Sequence, residues 1–128
     1  MELLNKEHFE KIDNCPFENT NGEINLFRWV NTNDIENSYT PFGFKEKFKN
    51  NCLAWGLSTY NSYNSAIETL NNLPSSTRER YNAISSCLIK NNDGIKHQSG
   101  NNRNHYTFYP IKGFDLSNNF KVIKEDEQ

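Results

Sequence analysis

Side chains capable of binding or catalysis are concentrated in three separate segments of this sequence. The first segment is the apolar run 26–30, which contains a single charge, Arg28. Because successive side chains of a strand point to opposite faces, Arg28 lies on the other face from Phe27 and Trp29. A guanidinium fixed in this way suits a phosphate or a carboxylate. The alternative is a solvent-facing arginine without a ligand, with both aromatic neighbours in the core.

The second segment is the junction 56–63, where a predicted strand leads into a predicted helix. A helix N-terminus favours anions because its backbone N–H groups lack partners. We therefore predict that the hydroxyls of this junction contact a ligand and that its tyrosines stack on a planar ring. The residues concerned are Ser58, Thr59, Tyr60 and Tyr63. Glu68 follows inside the helix. The alternative is plain helix capping by Asn61 or Ser62.

The third segment, 96–107, contains two of the three histidines, His97 and His105, together with Ser99 and Arg103. Polar residues gathered on a loop between strands often form a site. We predict Ser99 and His105 as site residues. A hydrophilic hairpin tip explains the same composition equally well.

The three cysteines, Cys15, Cys52 and Cys87, are widely spaced, and no pair has the spacing of metal ligands. This favours reduced thiols in a reducing compartment. A nucleophilic site formed by Cys52 with His105 and Asp115 is a further alternative. We predict no metal and no bound cofactor.

Hydrophobic periodicity and turn residues predict an α+β domain with a mostly antiparallel sheet. The 128 residues fit a single domain, 1–128, with an N-terminal helical segment in 1–14 and a frayed tail at 124–128. The loop 31–51 is long, and its Phe42, Phe44 and Phe48 are expected to pack over the core. The predicted elements are helix 2–12, strands 26–30 and 52–59, helix 61–72, helical turn 75–80, strand 83–90, a hairpin turn at 92–94 leading to 95–98, strand 105–111 and edge strand 120–123.

The net charge of −2 argues against a protein whose main task is holding duplex nucleic acid, since such proteins usually carry a basic excess. No apolar run approaches the about 20 residues that span a bilayer. The N-terminus lacks the apolar core of a secretory signal. We therefore expect a cytoplasmic protein that does not enter a membrane.

Together the three segments resemble the RES-domain family, small bacterial proteins similar to ADP-ribosyltransferases that act as NAD-degrading toxins. The resemblance covers residues 26–110. Phe27-Arg28-Trp29 resembles the family's arginine motif, and 58–68 resembles its serine-and-tyrosine turn followed by a helix with a glutamate. Ser99 with Asn104-His105-Tyr106 resembles its later serine region. The family's glycine-rich Arg-Trp-Asn segment is absent, and Thr40–Phe44 stands in its place.

The resemblance implies an NAD-cleaving enzyme or ADP-ribosyltransferase of a toxin or defence system, with NAD as substrate. In that case Arg28 pairs with the pyrophosphate, and Tyr60 or Tyr63 stacks on the nicotinamide. Glu68 stabilises the cationic sugar in the transition state, and Ser99 orients the ribose. The catalytic set is then Glu68, Ser99 and His105.

A non-catalytic binding module is the competing hypothesis, because no highly specific catalytic motif is present. An antitoxin, an immunity protein or a subunit of a defence complex fits this description, with a protein as its partner. The two hypotheses differ in one geometric respect. The enzyme requires Arg28 and Glu68 to line the same cavity.

Overall fold

The computed structural model describes residues 1–123, and its centre is a six-stranded sheet in which every pair is antiparallel. This confirms the predicted α+β class. The strand order is β4-β5-β2-β1-β3-β6. The strands are β1 (Ile24–Val30), β2 (Leu57–Tyr60), β3 (Ala83–Ile89), β4 (Gly94–Gln98), β5 (His105–Pro110) and β6 (Lys121–Val122). The helices are α1 (Lys6–Phe9), α2 (Tyr63–Asn71), α3 (Ser75–Arg78) and α4 (Leu116–Asn119). The predicted tail 124–128 lies outside the described residues.

The sheet consists of two three-stranded halves, β4-β5-β2 and β1-β3-β6, which meet at a single register pair, Phe27 with Tyr60. Ile89 of β3 and Phe108 of β5, one from each half, belong to the same buried cluster. This arrangement explains why β3 and β4 do not form the predicted hairpin at 92–94. Although only four residues connect them, β3 pairs with β1 and β6, and β4 pairs with β5.

Both sides of β1 are covered by other parts of the chain. Leu26 and Val30 belong to the buried cluster that also contains Ile89 and Phe108. Phe27 and Trp29 point the other way and pack against α2, where the Trp29 indole N–H donates to the Ala66 carbonyl at 2.8 Å. Side chains near the middle of β1 are therefore covered on whichever face of the sheet they lie.

Helix α2 begins where the sequence predicts. The Ser62 hydroxyl accepts a hydrogen bond from the backbone N–H of Ser65 at 3.1 Å, which caps the helix. Ala66 and Leu70, four residues apart, bury one side of the helix against the sheet. Of the two proposed capping residues, Ser62 has this role.

The N-terminal segment folds over the outer side of β5 and departs from the prediction in two respects. Helix 2–12 is reduced to α1, and the predicted strand 52–59 begins as a 3₁₀ helix, Cys52–Trp55, before β2. This 3₁₀ helix allows Cys52 and Trp55 to join Phe9 in a second buried cluster.

The expectation that all three cysteines are reduced thiols is wrong. Packing of the N-terminal segment against the 3₁₀ helix brings Cys15 to Cys52, with Cα atoms 5.7 Å apart, and the two form a disulfide. Cys87 is free. The cysteines therefore no longer support the predicted reducing compartment. Among residues 1–123, no helix combines the length and the apolar character needed to cross a membrane.

Candidate functional site

Arg28 is buried, with 7% of its surface exposed, and it joins two parts of the chain. Its Nε donates to the carbonyl of Ser38 at 2.8 Å, and its Nη1 donates to the carbonyl of Ser58 at 2.7 Å. The strands β1 and β2 share only one register pair, so few backbone hydrogen bonds join them. The guanidinium adds a side-chain link between the two strands. The alternative of a solvent-facing Arg28 is wrong, because both sides of β1 are covered.

The charge of Arg28 has no carboxylate partner within ion-pair distance among residues 1–123. Burial lowers the pKa of Arg28, and the nearby tyrosines, with Tyr81 first, partly oppose this shift. A guanidinium nevertheless stays protonated in proteins. Because a buried charge is costly unless it is paired, this position favours the binding of an anion.

Arg28 lines a cavity of about 430 Å³ at the end of β1, between the 31–45 loop and the segment after α3. Among residues 1–123, three cationic side chains and one carboxylate, Asp34, line the cavity, so this lining has a charge of +2 in a chain whose net charge is −2. Asp34 accepts a hydrogen bond from the Asn37 amide at 2.9 Å and forms no ion pair with these cations. The remaining cations are Lys45 and Arg80, and the other lining residues are Asn31, Asn37, Ser38, Thr40, Pro41, Phe42, Phe44 and Tyr81.

Two aromatic rings form the rim of this cavity. Phe42 and Phe44 are 45% and 53% exposed, so the expectation that they pack over the core is wrong for both. Gly43 between them is buried directly against the Trp55 ring, where any side chain would overlap the indole. This close approach anchors the loop between two rings that remain about half exposed. They can therefore contact a planar ligand.

A second cluster joins three of the predicted site residues, Ser58, Ser99 and His105. His105 Nε2 lies 3.1 Å from Ser58 Oγ. His105 Nδ1 lies 3.1 Å from the Ser99 carbonyl oxygen and 3.0 Å from Ser99 Oγ. Ser99 Oγ also lies 2.8 Å from Thr107 Oγ1. Ser58 and His105 are half-buried, whereas Ser99 and Thr107 are buried.

The register of β2 and β5 creates this cluster. Ser58 lies opposite Thr107, and Tyr60 lies opposite His105, so the imidazole reaches Ser58 diagonally across the two strands. Ser99 follows β4, and its backbone N–H donates to the His105 carbonyl at 3.0 Å. The cluster thus lies on paired strands, and the predicted polar loop contributes one end of it.

The structure corrects the expectation for Thr59 and Tyr60. Thr59 is fully buried, and its hydroxyl donates to the Tyr106 carbonyl at 2.7 Å. Tyr60 is buried in the cluster beneath α2, and Tyr63 packs against that cluster. Thr59 and Tyr60 are therefore not free to receive a ligand, whereas Tyr63 stays half-buried at the start of α2.

Glu68 is exposed on α2 and lines a different cavity, of about 440 Å³, from the one that contains Arg28. Its neighbours there are uncharged: Ser62, Asn64, Ser65, Thr69, Asn72, Asn102 and Asn104. Arg28 leaves β1 on the side opposite to Phe27 and Trp29, the residues on which α2 packs. The enzyme hypothesis requires Arg28 and Glu68 to line the same cavity. The structure places them in two different cavities.

The alternative with Cys52 as nucleophile fails, because Cys52 is bonded to Cys15. Asp115 is engaged elsewhere, since it caps α4 by accepting from the backbone N–H of Asn118 at 3.2 Å. The described part of the chain contains no group of three or more His, Cys, Asp or Glu residues arranged to hold a metal ion.

The cavity residues that sequence reasoning missed are Lys45, Arg80 and Tyr81. Arg80 and Tyr81 follow α3, far from Arg28 in sequence, and no spacing connects them. Only the length of the 31–51 loop, which indicates a functional role, pointed towards Lys45 and the aromatic rim.

The chain was compared with protein-family models, with curated proteins and with solved structures, and none of them matches it.

Proposed function

We propose that this protein binds a phosphate-bearing small molecule with a planar ring, such as a nucleotide, in the Arg28 cavity. The observation that supports this most strongly is the buried Arg28 guanidinium, which lines the cavity without a carboxylate partner among residues 1–123. Phosphate oxygens match the donor fork of a guanidinium. NAD is one candidate ligand, since its pyrophosphate offers the same chemistry.

The rest of the cavity supports the same class of ligand. Lys45 and Arg80 add two positive charges at the exposed edge, where they can attract an anion before it reaches Arg28. Phe42 and Phe44 offer exposed rings for a base. The volume of about 430 Å³ falls within the usual range for small-molecule sites.

This proposal follows the hypothesis of a binding module in preference to that of an NAD-cleaving enzyme based on Glu68. The reason is that Arg28 and Glu68 line separate cavities. A role as an antitoxin, an immunity protein or a subunit of a defence complex is compatible with nucleotide binding. The environment of the exposed Phe42 and Phe44 rings would then differ between the free and the ligand-bound protein.

Calorimetric titration with AMP, ADP, NAD and adenosine tests the proposal. We expect the three phosphate compounds to bind and adenosine to bind more weakly, because it lacks the charge. Trp55 provides a second signal, since its ring centroid lies 4.9 Å from that of Phe44. Its fluorescence should change at saturation. Nicotinamide release, measured in the NAD samples, tests the enzyme hypothesis independently.

The matched variants are Lys45→Ala and Arg80→Ala, with Lys47→Ala as the control. Partly exposed ion pairs contribute about 0.2–1 kcal/mol, so each of the first two should weaken AMP binding by up to about fivefold. Lys47 is exposed two residues from Lys45 and does not line the cavity, so its removal should leave AMP affinity unchanged. Equal affinity for adenosine and AMP, or equal effects of all three substitutions, would overturn the proposal.

A further inference from the structure

We propose that Ser58 is a nucleophile activated by His105, and that together they transfer an acyl group from an ester to water. The proposal rests on the 3.1 Å contact between Ser58 Oγ and His105 Nε2. That distance lies within hydrogen-bond reach of a nucleophile and its base. This site is separate from the Arg28 cavity, whose lining includes neither Ser58 nor His105.

The Ser99 carbonyl favours one tautomer of the imidazole. A carbonyl oxygen can only accept, so a hydrogen on His105 Nδ1 satisfies the 3.1 Å contact with it, and the Ser99 hydroxyl, 3.0 Å from the same nitrogen, can then donate to Thr107 Oγ1 at 2.8 Å. In a neutral ring Nε2 then carries the lone pair, and Ser58 Oγ–H donates to it. This is the tautomer that a general base needs. Burial lowers the pKa of His105, which favours the neutral ring.

Neighbouring contacts hold both groups in place. The Ser58 carbonyl is bound by Arg28 Nη1 at 2.7 Å, which fixes the backbone that carries the nucleophile. The His105 ring meets the edge of the buried Tyr60 ring, with centroids 5.2 Å apart. Because both residues lie on paired strands, little rearrangement is needed to form the contact. Ser58 is half-buried, so part of the residue remains in contact with solvent.

The reaction has two balanced steps. Ser58 Oγ attacks the ester carbonyl while its proton passes to His105 Nε2. The bond to the leaving alcohol then breaks, and the alcohol takes that proton, which leaves an acyl ester on Ser58. In the second step His105 accepts a proton from water, the hydroxide attacks the acyl carbon, and Ser58 recovers its proton as the acid departs.

The test uses p-nitrophenyl acetate with the full-length protein. Nitrophenolate release is followed by absorbance, and the acetylated residue is identified by mass spectrometry of peptides from samples quenched with acid. We expect acetyl on Ser58 in the wild-type protein. Acetyl at this position should be absent in Ser58→Ala and reduced at least tenfold in His105→Gln. Ser86→Ala is the control, because Ser86 is another half-buried strand serine with no imidazole contact.

Circular dichroism of each variant establishes that it is folded. Acetylation of Ser58 that depends on His105 and is unaffected by Ser86→Ala supports the proposal. Acetyl found only on lysines or on the N-terminus overturns it, as does equal labelling of Ser58 in the wild-type protein and in a folded His105→Gln variant. If Ser58→Ala does not fold, the His105→Gln comparison decides alone.

Discussion

Replacing Arg28 by methionine should destabilise the protein substantially. The substitution removes the donors that hold the Ser38 and Ser58 carbonyls at 2.8 and 2.7 Å. A hydrogen bond to a charged group contributes about 1.5–3 kcal/mol, so two give about 3–6 kcal/mol. Methionine is apolar and avoids the cost of burying an unpaired charge, which offsets part of this loss. We therefore expect the free energy of unfolding to fall by about 2–4 kcal/mol.

Urea unfolding followed by circular dichroism measures this change as a lower midpoint with an unchanged slope. Arg28→Lys keeps the charge but lacks the fork that reaches two carbonyls, and it should lose roughly half as much. Arg103→Met is the control, since Arg103 is exposed and makes no ion pair among residues 1–123. If Arg28→Met changes the free energy no more than Arg103→Met does, the role of Arg28 as a link between β1, β2 and the long loop is refuted.

Three further predictions concern other parts of the molecule. Gly43→Ala places a methyl group against the Trp55 ring, so it should cost about 1–3 kcal/mol in urea unfolding and weaken AMP binding; unchanged values would contradict the packing. Loss of the disulfide in Cys15→Ala/Cys52→Ala, which spans 37 residues, should cost about 3–4 kcal/mol, and a difference below about 1 kcal/mol would count against that bond. Because the pKa of His105 is lowered from 6.5, the unfolded chain binds more protons just below pH 6.5, and stability should decrease as the pH falls through that range. His105→Gln should reduce this decrease, and equal pH profiles of the two proteins would argue against it.

The elements were predictable where local signals and burial agree. The cap at Ser62 and the helix after it follow from a polar residue before an apolar period. The edge strand β6 follows from a short apolar run near the end of the described chain, and it pairs with β3 as an edge.

The arrangement of the strands was not predictable from local signals. Asn92-Asp93-Gly94 has the composition of a hairpin turn, yet the strands on either side belong to different halves of the sheet. Pairing depends on contacts between residues far apart in sequence, such as those within the buried cluster that contains Ile89 and Phe108. A turn motif carries no information about that contact.

The candidate site also has a part that local sequence signals predict and a part that depends on long-range packing. The sequence singled out Ser58, Ser99 and His105, and the structure brings them together because β2 and β5 pair in the required register. It also singled out Arg28, but as one half of a pair with Glu68. Strand alternation relates Arg28 only to its immediate neighbours, whereas the position of Glu68 depends on the side of the sheet that α2 covers.

The most direct test of nucleotide binding at Arg28 is the NMR signal of its Nε–H group during a titration with AMP. This hydrogen is bonded to Ser38 inside the protein, and the signal is assigned by its loss in Arg28→Lys. We predict that the signal shifts and saturates with AMP, and that it shifts far less with adenosine at the same concentrations. A signal that stays in place while AMP is raised to millimolar levels, in a protein that remains folded, would contradict the account.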